Sequence, residues 1–212
     1  MAWLATDNFD SYADGDLDTK NGGSGWSGAW SSGIAWDSGN APAGGQGSKC
    51  ALTVGQSGGT NADRAYTAIT SGTIAFEVRC TSATPTNPPT ISFQEGATSR
   101  IQFRVTASNL QINNNGTWTN IPSTSFAANT WYEIKLRFDA ATENFWVTVD
   151  AGAEQGAYTV AGGSFVNISN LNMFADTLDA TFYLDDIKDG EVAITTTSSS
   201  SSSSTTTSSS ST

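Results

Sequence analysis

The chain has 212 residues, and residues 195–212 are only Ser and Thr, so the folded body is confined to residues 1–194. This length is typical of one domain that needs no disulfide lattice to stay folded. Nine Lys and Arg against 20 Asp and Glu give a formal net charge of −11, which argues against nucleic-acid or anionic-lipid binding, because such binding requires clustered basic side chains. The sequence contains no His, which excludes Ser-His-Asp or Cys-His catalysis and imidazole zinc ligands.

The N-terminus carries no visible targeting pattern, because residues 1–7 have neither a basic region nor an apolar stretch. Either a signal peptide was removed or the protein reaches its destination without one. No run approaches 18 apolar residues, so the sequence predicts no membrane insertion.

Residues 14–47 are rich in Gly, Ser, Asn and Trp and predict long loops with one short strand around Trp36. Trp30 and Trp36 are candidate exposed anchors for a partner protein, since aromatic side chains dominate interface hot spots.

From residue 50 onward, apolar and polar residues alternate with the period of two that is typical of β-strands. Turn signals rich in Gly and Asn separate the runs. This pattern predicts an all-β fold of two antiparallel sheets packed as a sandwich. The clearest apolar series are Cys50-Leu52-Val54, Ile74-Phe76-Val78-Cys80, Ile101-Phe103-Val105, Tyr132-Ile134-Leu136-Phe138 and Phe145-Val147-Val149.

Cys50 and Cys80 both fall on the inward phase of their predicted strands, so we expect free, buried thiols. The alternative is a disulfide, which requires neighbouring strands with Cα atoms within about 7 Å. The Ser/Thr tail at residues 195–212 cannot bury enough apolar surface to offset its ordering entropy, and by itself it is predicted to be disordered. A linker, a glycosylation stalk and a packing arm are its alternative uses.

Three strings together resemble the concanavalin A-like, or laminin-G-like, jelly rolls. The opening string is Asp7-Asn8-Phe9-Asp10-Ser11-Tyr12, followed by Gly15-Asp16-Leu17 and Gly22-Gly23-Ser24-Gly25-Trp26. The middle string is Asn129-Thr130-Trp131-Tyr132-Glu133-Ile134-Lys135-Leu136, and the closing string is Phe182-Tyr183-Leu184-Asp185-Asp186-Ile187. The resemblance implies two curved antiparallel sheets with the first and last strands adjacent. Members of this group include lectins, carbohydrate-binding modules, glucanases, and adhesion or virion proteins, so the fold alone does not choose a function.

Catalysis is not expected. Glucanases of this fold carry a Glu-x-Asp-x-x-Glu strand that places two carboxylates in the retaining geometry, and no Glu in this chain is followed two residues later by Asp.

Strand alternation places several polar and aromatic residues on the outward faces of the predicted sheets. A tryptophan beside Arg, Gln and Glu could stack on a sugar ring while the polar groups bond its hydroxyls. The alternative is that these side chains form ordinary cross-strand pairs and packing contacts. The candidate glycan-binding residues are Trp146, Arg104, Gln102, Glu77 and Arg137.

The resemblance also implies a structural calcium ion. In many jelly-roll binding modules such an ion lies between an acidic residue of the first strand and an Asp of the closing Asp-Asp-Ile string. Here those positions are Asp10 and either Asp185 or Asp186. The alternative is a solvated acidic turn.

Three functions from different classes are consistent with the sequence. The first is a non-enzymatic virion structural protein, a capsid decoration or fibre component that assembles as a homo-oligomer with other virion or surface proteins and has glycan affinity. The second is a secreted bacterial carbohydrate-binding module with a Ser/Thr linker, and the third is a jelly-roll glucanase. The first two predict a virion or extracellular location.

Overall fold

The computed structural model describes residues 3–32, 36–53, 60–82, 85–106, 109–175 and 180–190. Strands and their connections make up these residues, and no helix occurs among them. In this part of the chain there is accordingly no helix long and apolar enough to cross a membrane. The Ser/Thr tail and the predicted domain boundary at residue 194 lie outside the described residues.

The described residues form strands of two to ten residues, joined by turns and loops. In chain order they are β1 (Ala5–Asp7), β2 (Gly15–Asp16), β3 (Ser31–Ser32), β4 (Trp36–Asn40), β5 (Lys49–Thr53), β6 (Thr60–Ile69), β7 (Ser71–Cys80), β8 (Thr90–Glu95), β9 (Thr98–Thr106), β10 (Asn109–Asn114), β11 (Thr117–Asn120), β12 (Tyr132–Asp139), β13 (Asn144–Val149), β14 (Gln155–Thr159), β15 (Ile168–Ala175) and β16 (Phe182–Asp189).

The strands make two antiparallel sheets. Sheet I has the order β14-β13-β12-β7-β16-β5-β4-β2, with β1 also paired to β16. Sheet II has the order β11-β10-β9-β8-β15-β6-β3. Ala5 lies opposite Asp189 in the register of β1 and β16, which confirms that the first and last described strands are adjacent. The all-β, two-sheet jelly-roll sandwich expected from the sequence is therefore confirmed.

The core lies between the sheets and follows the predicted alternation. On β7, Phe76 and its inward neighbours are fully buried, and on β9 Phe103 is equally buried. The Phe76 ring meets Phe103 at 5.5 Å and Phe93 of β8 at 5.8 Å between ring centroids, which joins sheet I to sheet II. Full burial of such a side chain stabilises the fold by roughly 2 kcal/mol.

Two loop tryptophans depart from the sequence prediction. Trp30 is 1% exposed and Trp36 is 0% exposed, so the prediction that they are exposed partner anchors is wrong. β4 pairs with β5 and its alternation turns Trp36 into the core, where the ring meets Phe182 edge-on at 6.4 Å. Trp30 stacks on Phe9 at 6.1 Å.

A buried ion pair holds the N-terminal loop against sheet II. Arg64 of β6 and Asp7 of β1 form a salt bridge in which both side chains are 1% exposed. Tyr12 Oη donates to Asp7 Oδ2 at 2.6 Å and Trp30 Nε1 donates to the same oxygen at 3.1 Å. Burial and the adjacent Asp7 carboxylate raise the pKa of Tyr12 to about 12, so its hydroxyl stays a donor.

Both cysteines are buried, as expected, and neither forms a disulfide within the described residues. The predicted inward phase holds for Cys80 but is wrong for Cys50. Ala51 of β5 belongs to the core, so Cys50 points to the outer side of sheet I. Burial is the main cause that raises the pKa of Cys50 to about 12.

Candidate functional site

The outer face of sheet II carries polar side chains that are covered although they point away from the core. On β8, Ile91 and Phe93 belong to the core, so Ser92 and Gln94 face outward. Ser92 is nevertheless only 2% exposed and Gln94 only 8% exposed. The same coverage applies to Asn113 of β10 and Asn172 of β15, at 8% and 7% exposed.

Coverage of this kind is expected where longer side chains flank short polar ones, and we infer that the short side chains form the floor of a shallow groove. Asn172 lies opposite both Asp63 and Ser92 in the strand register, and Ser92 lies opposite Gln102. Asn113 continues the row. We call this row of Asp63, Asn172, Ser92, Gln102 and Asn113 the polar groove.

The polar groove runs across the strands, from β6 to β11. Five interstrand steps of about 4.8 Å give it a length of roughly 24 Å. Trp118 of β11 lies opposite Asn113 in the register and marks the end of the row. Trp118 follows the Asn-Gly turn that joins β10 to β11.

Hydrogen bonds between the groove side chains fix their orientations. Asn172 Nδ2 donates to Asp63 Oδ1 at 2.8 Å, and Asn113 Nδ2 donates to Gln102 Oε1 at 2.6 Å. The Oδ1 atom of Asn113 is buried and has no hydrogen-bond partner within the described residues. A buried acceptor without a partner costs about 1–3 kcal/mol, which a donor from a bound molecule would recover.

Arg104 and Trp118 stand together at one end of the polar groove. The Arg104 guanidinium lies 4.0 Å above the Trp118 ring centroid. Arg104 Nε donates to Gln111 Oε1 at 2.9 Å, and Gln111 Nε2 donates to Asn120 Oδ1 at 2.8 Å. The two groups therefore form one ordered unit of a cation and an aromatic ring. Phe174 of β15 adds an exposed aromatic ring to the same face, 37% exposed.

The structure divides the five predicted glycan-binding residues between the two sheets. Gln102 and Arg104 lie on sheet II, at the polar groove. Glu77, Arg137 and Trp146 lie on sheet I. The five cannot form one site, because their sheets present opposite outer faces. Alternation along a strand gives the face of a residue, but it does not give the sheet.

On sheet I, Trp146 already has a partner on its ring. The Arg137 guanidinium lies 3.7 Å from the Trp146 ring centroid. Arg137 also pairs with Glu154 through Nε at 2.8 Å and Nη2 at 2.6 Å. The salt bridge with Glu154 raises the pKa of Arg137. The cross-strand pair and packing contact that formed the alternative interpretation are thus present at Trp146.

Sheet I also brings carboxylates from separate strands together. Glu77 of β7 lies opposite Glu133 of β12 and Asp185 of β16. Gln46 contacts two of them, since its Nε2 donates to Glu77 Oε1 at 3.0 Å and its backbone N–H donates to Asp185 Oδ2 at 3.1 Å. Burial raises the pKa of Glu77, and burial raises the pKa of Asp185 to about 8.

The acidic residues implied as calcium ligands each have other partners in the structure. Asp10 Oδ1 accepts the backbone N–H groups of Ser48 at 2.6 Å and Lys49 at 2.9 Å, which lowers the pKa of Asp10. Asp186 forms a salt bridge with Lys188. No three acidic or thiol side chains of the described residues converge as metal ligands. The calcium site stays a prediction.

No protein family and no curated protein matches the sequence. Solved structures do match the fold. A sialidase is 12% identical with a TM-score of 0.65, over 90% of this chain and 19% of its own. This chain therefore spans about a fifth of that sialidase.

Two further structures match along most of their own length. One, described for endo-acting O-glycanases of the human gut microbiota that initiate mucin breakdown, is 11% identical with a TM-score of 0.61, over 91% of this chain and 100% of its own. The carbohydrate-binding module CBM66 from Bacillus subtilis is 13% identical with a TM-score of 0.50, over 76% and 95%. The chain thus has the two-sheet jelly-roll fold that is found in these three proteins.

Proposed function

We propose that this protein is a non-catalytic glycan-binding jelly roll that holds a carbohydrate chain in the polar groove of sheet II. The observation that carries the proposal is the covered row of outward polar side chains, with the unpaired Oδ1 of Asn113 beside Trp118. Binding sites typically combine concavity with a few fixed polar groups and aromatic surface.

The chemistry of the polar groove suits sugar hydroxyls. A hydroxyl both donates and accepts, and the amides of Asn113, Gln102 and Asn172 offer both functions. Because these amides are already held by one another, they lose little side-chain entropy when a ligand binds. The apolar face of a sugar ring matches Trp118 and Phe174, as expected for aromatic contacts in binding sites. The carbohydrate-binding neighbour, CBM66, is in keeping with this proposal.

The polar groove does not favour hydrolysis. Retaining and inverting glycosidases need two carboxyl groups that flank the scissile bond. Asp63 supplies a single carboxylate in the groove, and it accepts the side-chain amides of Asn172 and Asn170. Binding without turnover is the chemistry that this arrangement supports.

Glycan-array screening followed by titration calorimetry tests the proposal. We expect binding that falls by about tenfold or more in Trp118→Ala and in Gln102→Ala, since each loses a stacking or hydrogen-bonding contact. Trp146→Ala on sheet I is the matched comparison and should bind normally. Binding lost only in Trp146→Ala would instead place the site on sheet I and refute the groove.

A glucanase is the second candidate, because Glu77 and Glu133 lie opposite each other and the pKa of Glu77 is raised. Gln46 covers Glu77, and Glu133 pairs with Lys135 at 2.8 Å. Release of reducing ends from β-glucans that stops in Glu77→Gln would support this alternative over pure binding.

The kind of protein that uses this glycan-binding domain is a further proposal. The opening string resembles those of bacteriophage structural proteins, so we propose a virion component that assembles with itself or with other surface proteins. A secreted bacterial module is the alternative. Light scattering of the purified protein separates them, because a trimer favours the virion component and a monomer favours the secreted module.

A further inference from the structure

Arg104 is a cation at the polar groove without a carboxylate partner. The chain has nine Lys and Arg in total, and all nine lie in the described residues. Six of them form ion pairs with carboxylates: Lys49, Arg64, Arg100, Lys135, Arg137 and Lys188. Arg104 pairs with no carboxylate of the described residues, although the chain carries a net charge of −11.

The Arg104 guanidinium is also partly removed from water. The side chain is half-buried, and this burial lowers the pKa of Arg104, with no neighbouring charge to offset it. A desolvated cation is costly unless it is paired. The stacking on Trp118 and the bond to Gln111 hold the guanidinium in place, so an incoming anion would meet a group that is already oriented.

The far end of the polar groove has the opposite charge. Asp63 lies on β6, and Arg104 lies on β9, three strands away in the order of sheet II. Three interstrand steps of about 4.8 Å place strand β6 roughly 14 Å from strand β9. A ligand with an anionic group at Arg104 is attracted there, whereas a second anionic group near Asp63 would be repelled.

We infer that the polar groove is specific for an acidic glycan, whose carboxylate or sulfate binds Arg104 while neutral sugar units occupy the row toward Asp63. This inference rests on the proposed glycan-binding function and adds its ligand class. A glycan with one acidic unit fits the groove, and a chain that is charged at every unit does not.

Matched pairs of glycans test the inference by calorimetry. The carboxylate arm compares 3′-sialyllactose with lactose, and the sulfate arm compares 6-sulfo-N-acetyllactosamine with N-acetyllactosamine. In at least one arm we expect the acidic member to bind about tenfold more tightly, as for a charge-assisted hydrogen bond. The preference should weaken with added salt. The two arms show which acidic group is the ligand.

The variants Arg104→Gln and Arg104→Lys test whether Arg104 causes the preference for the acidic glycan. Arg104→Gln should bind the acidic and neutral members equally, and Arg104→Lys should keep part of the preference through its charge. Arg137→Gln is the matched control, because Arg137 also stacks on a tryptophan but on sheet I and with Glu154 as partner.

Each alternative outcome has a separate meaning. Equal binding of acidic and neutral glycans by the wild type, or a preference that survives Arg104→Gln, would overturn the inference and leave the proposed function intact. Tighter binding of uniformly sulfated heparin fragments than of both singly charged glycans would also overturn it. The absence of binding to any glycan would overturn the inference and the proposed function together.

Discussion

The buried pair of Arg64 and Asp7 offers a sharp test of how the N-terminal loop is held. Arg64 reaches the loop through several bonds: Nε donates to the Gly28 carbonyl at 3.1 Å, and Nη2 donates to the Gly22 carbonyl at 2.7 Å. Arg64→Met would keep the apolar stem and remove the charge. Asp7 would then remain buried without its cation.

The structure gives the size of the expected effect. Removal of one partner from a buried ion pair costs about 3–5 kcal/mol, because the remaining charge stays uncompensated. Arg64→Met should therefore lower the free energy of unfolding by about 3–5 kcal/mol. The double variant Asp7→Leu with Arg64→Met should lose less than the sum of the two single variants, since it leaves no unpaired charge.

Urea unfolding followed by tryptophan fluorescence measures these effects, because Trp26 and Trp30 lie 4.8 and 5.5 Å from the Arg64 guanidinium. Arg137→Met is the control, since the exposed Arg137–Glu154 pair should contribute under about 1 kcal/mol. A loss below about 1 kcal/mol in Arg64→Met, or additive losses in the double variant, would refute this account.

Two further predictions concern acidic groups of β16 and Asp10 in the loop after β1. Burial raises the pKa of Asp185 to about 8 and that of Asp189 to about 7, whereas an unfolded Asp titrates near 3.9. The folded state thus holds the extra protons, so the stability that these two groups contribute is full below about pH 4 and is lost as the pH rises toward about 8. Each group contributes a slope of up to about 1.4 kcal/mol per pH unit. Melting scans should show a flatter profile in Asp185→Asn, and an unchanged slope would refute this assignment. The calcium prediction is checked by scans in calcium against chelator. A site at Asp10 and Asp185 should raise the melting temperature of the wild type but not of Asp10→Asn, and an unchanged wild-type temperature would remove the site.

Strand alternation explains why the fold could be predicted and why the site was only partly predicted. The alternation of Gln102, Phe103 and Arg104 gives their faces correctly. It could not assign Trp146 and Arg104 to different sheets, because the sheet order depends on long-range pairing. Trp36 was misjudged for a similar reason, since its burial depends on the pairing of β4 with β5 rather than on its glycine-rich surroundings.

Several groove residues were missed although a signal existed. Asn172 alternates with Leu171 and Met173 on β15, so its outward direction was readable from the sequence. Its coverage was not readable, because it depends on side chains of the neighbouring strands. The unpaired Oδ1 of Asn113 is likewise a property of the assembled sheet, not of its local sequence.

The pairing of β1 with β16 has a consequence for how the domain is displayed. The backbone N–H of Leu4 donates to the carbonyl of Asp189 at 2.9 Å, so positions 4 and 190 leave the body from the same corner of sheet I. A tether attached at either position would pull on that corner of sheet I, whereas sheet II forms the other layer of the sandwich. Trp118 and Arg104 belong to the other sheet, so a tether at either position would leave the residues of the polar groove uncovered by the strands that carry it.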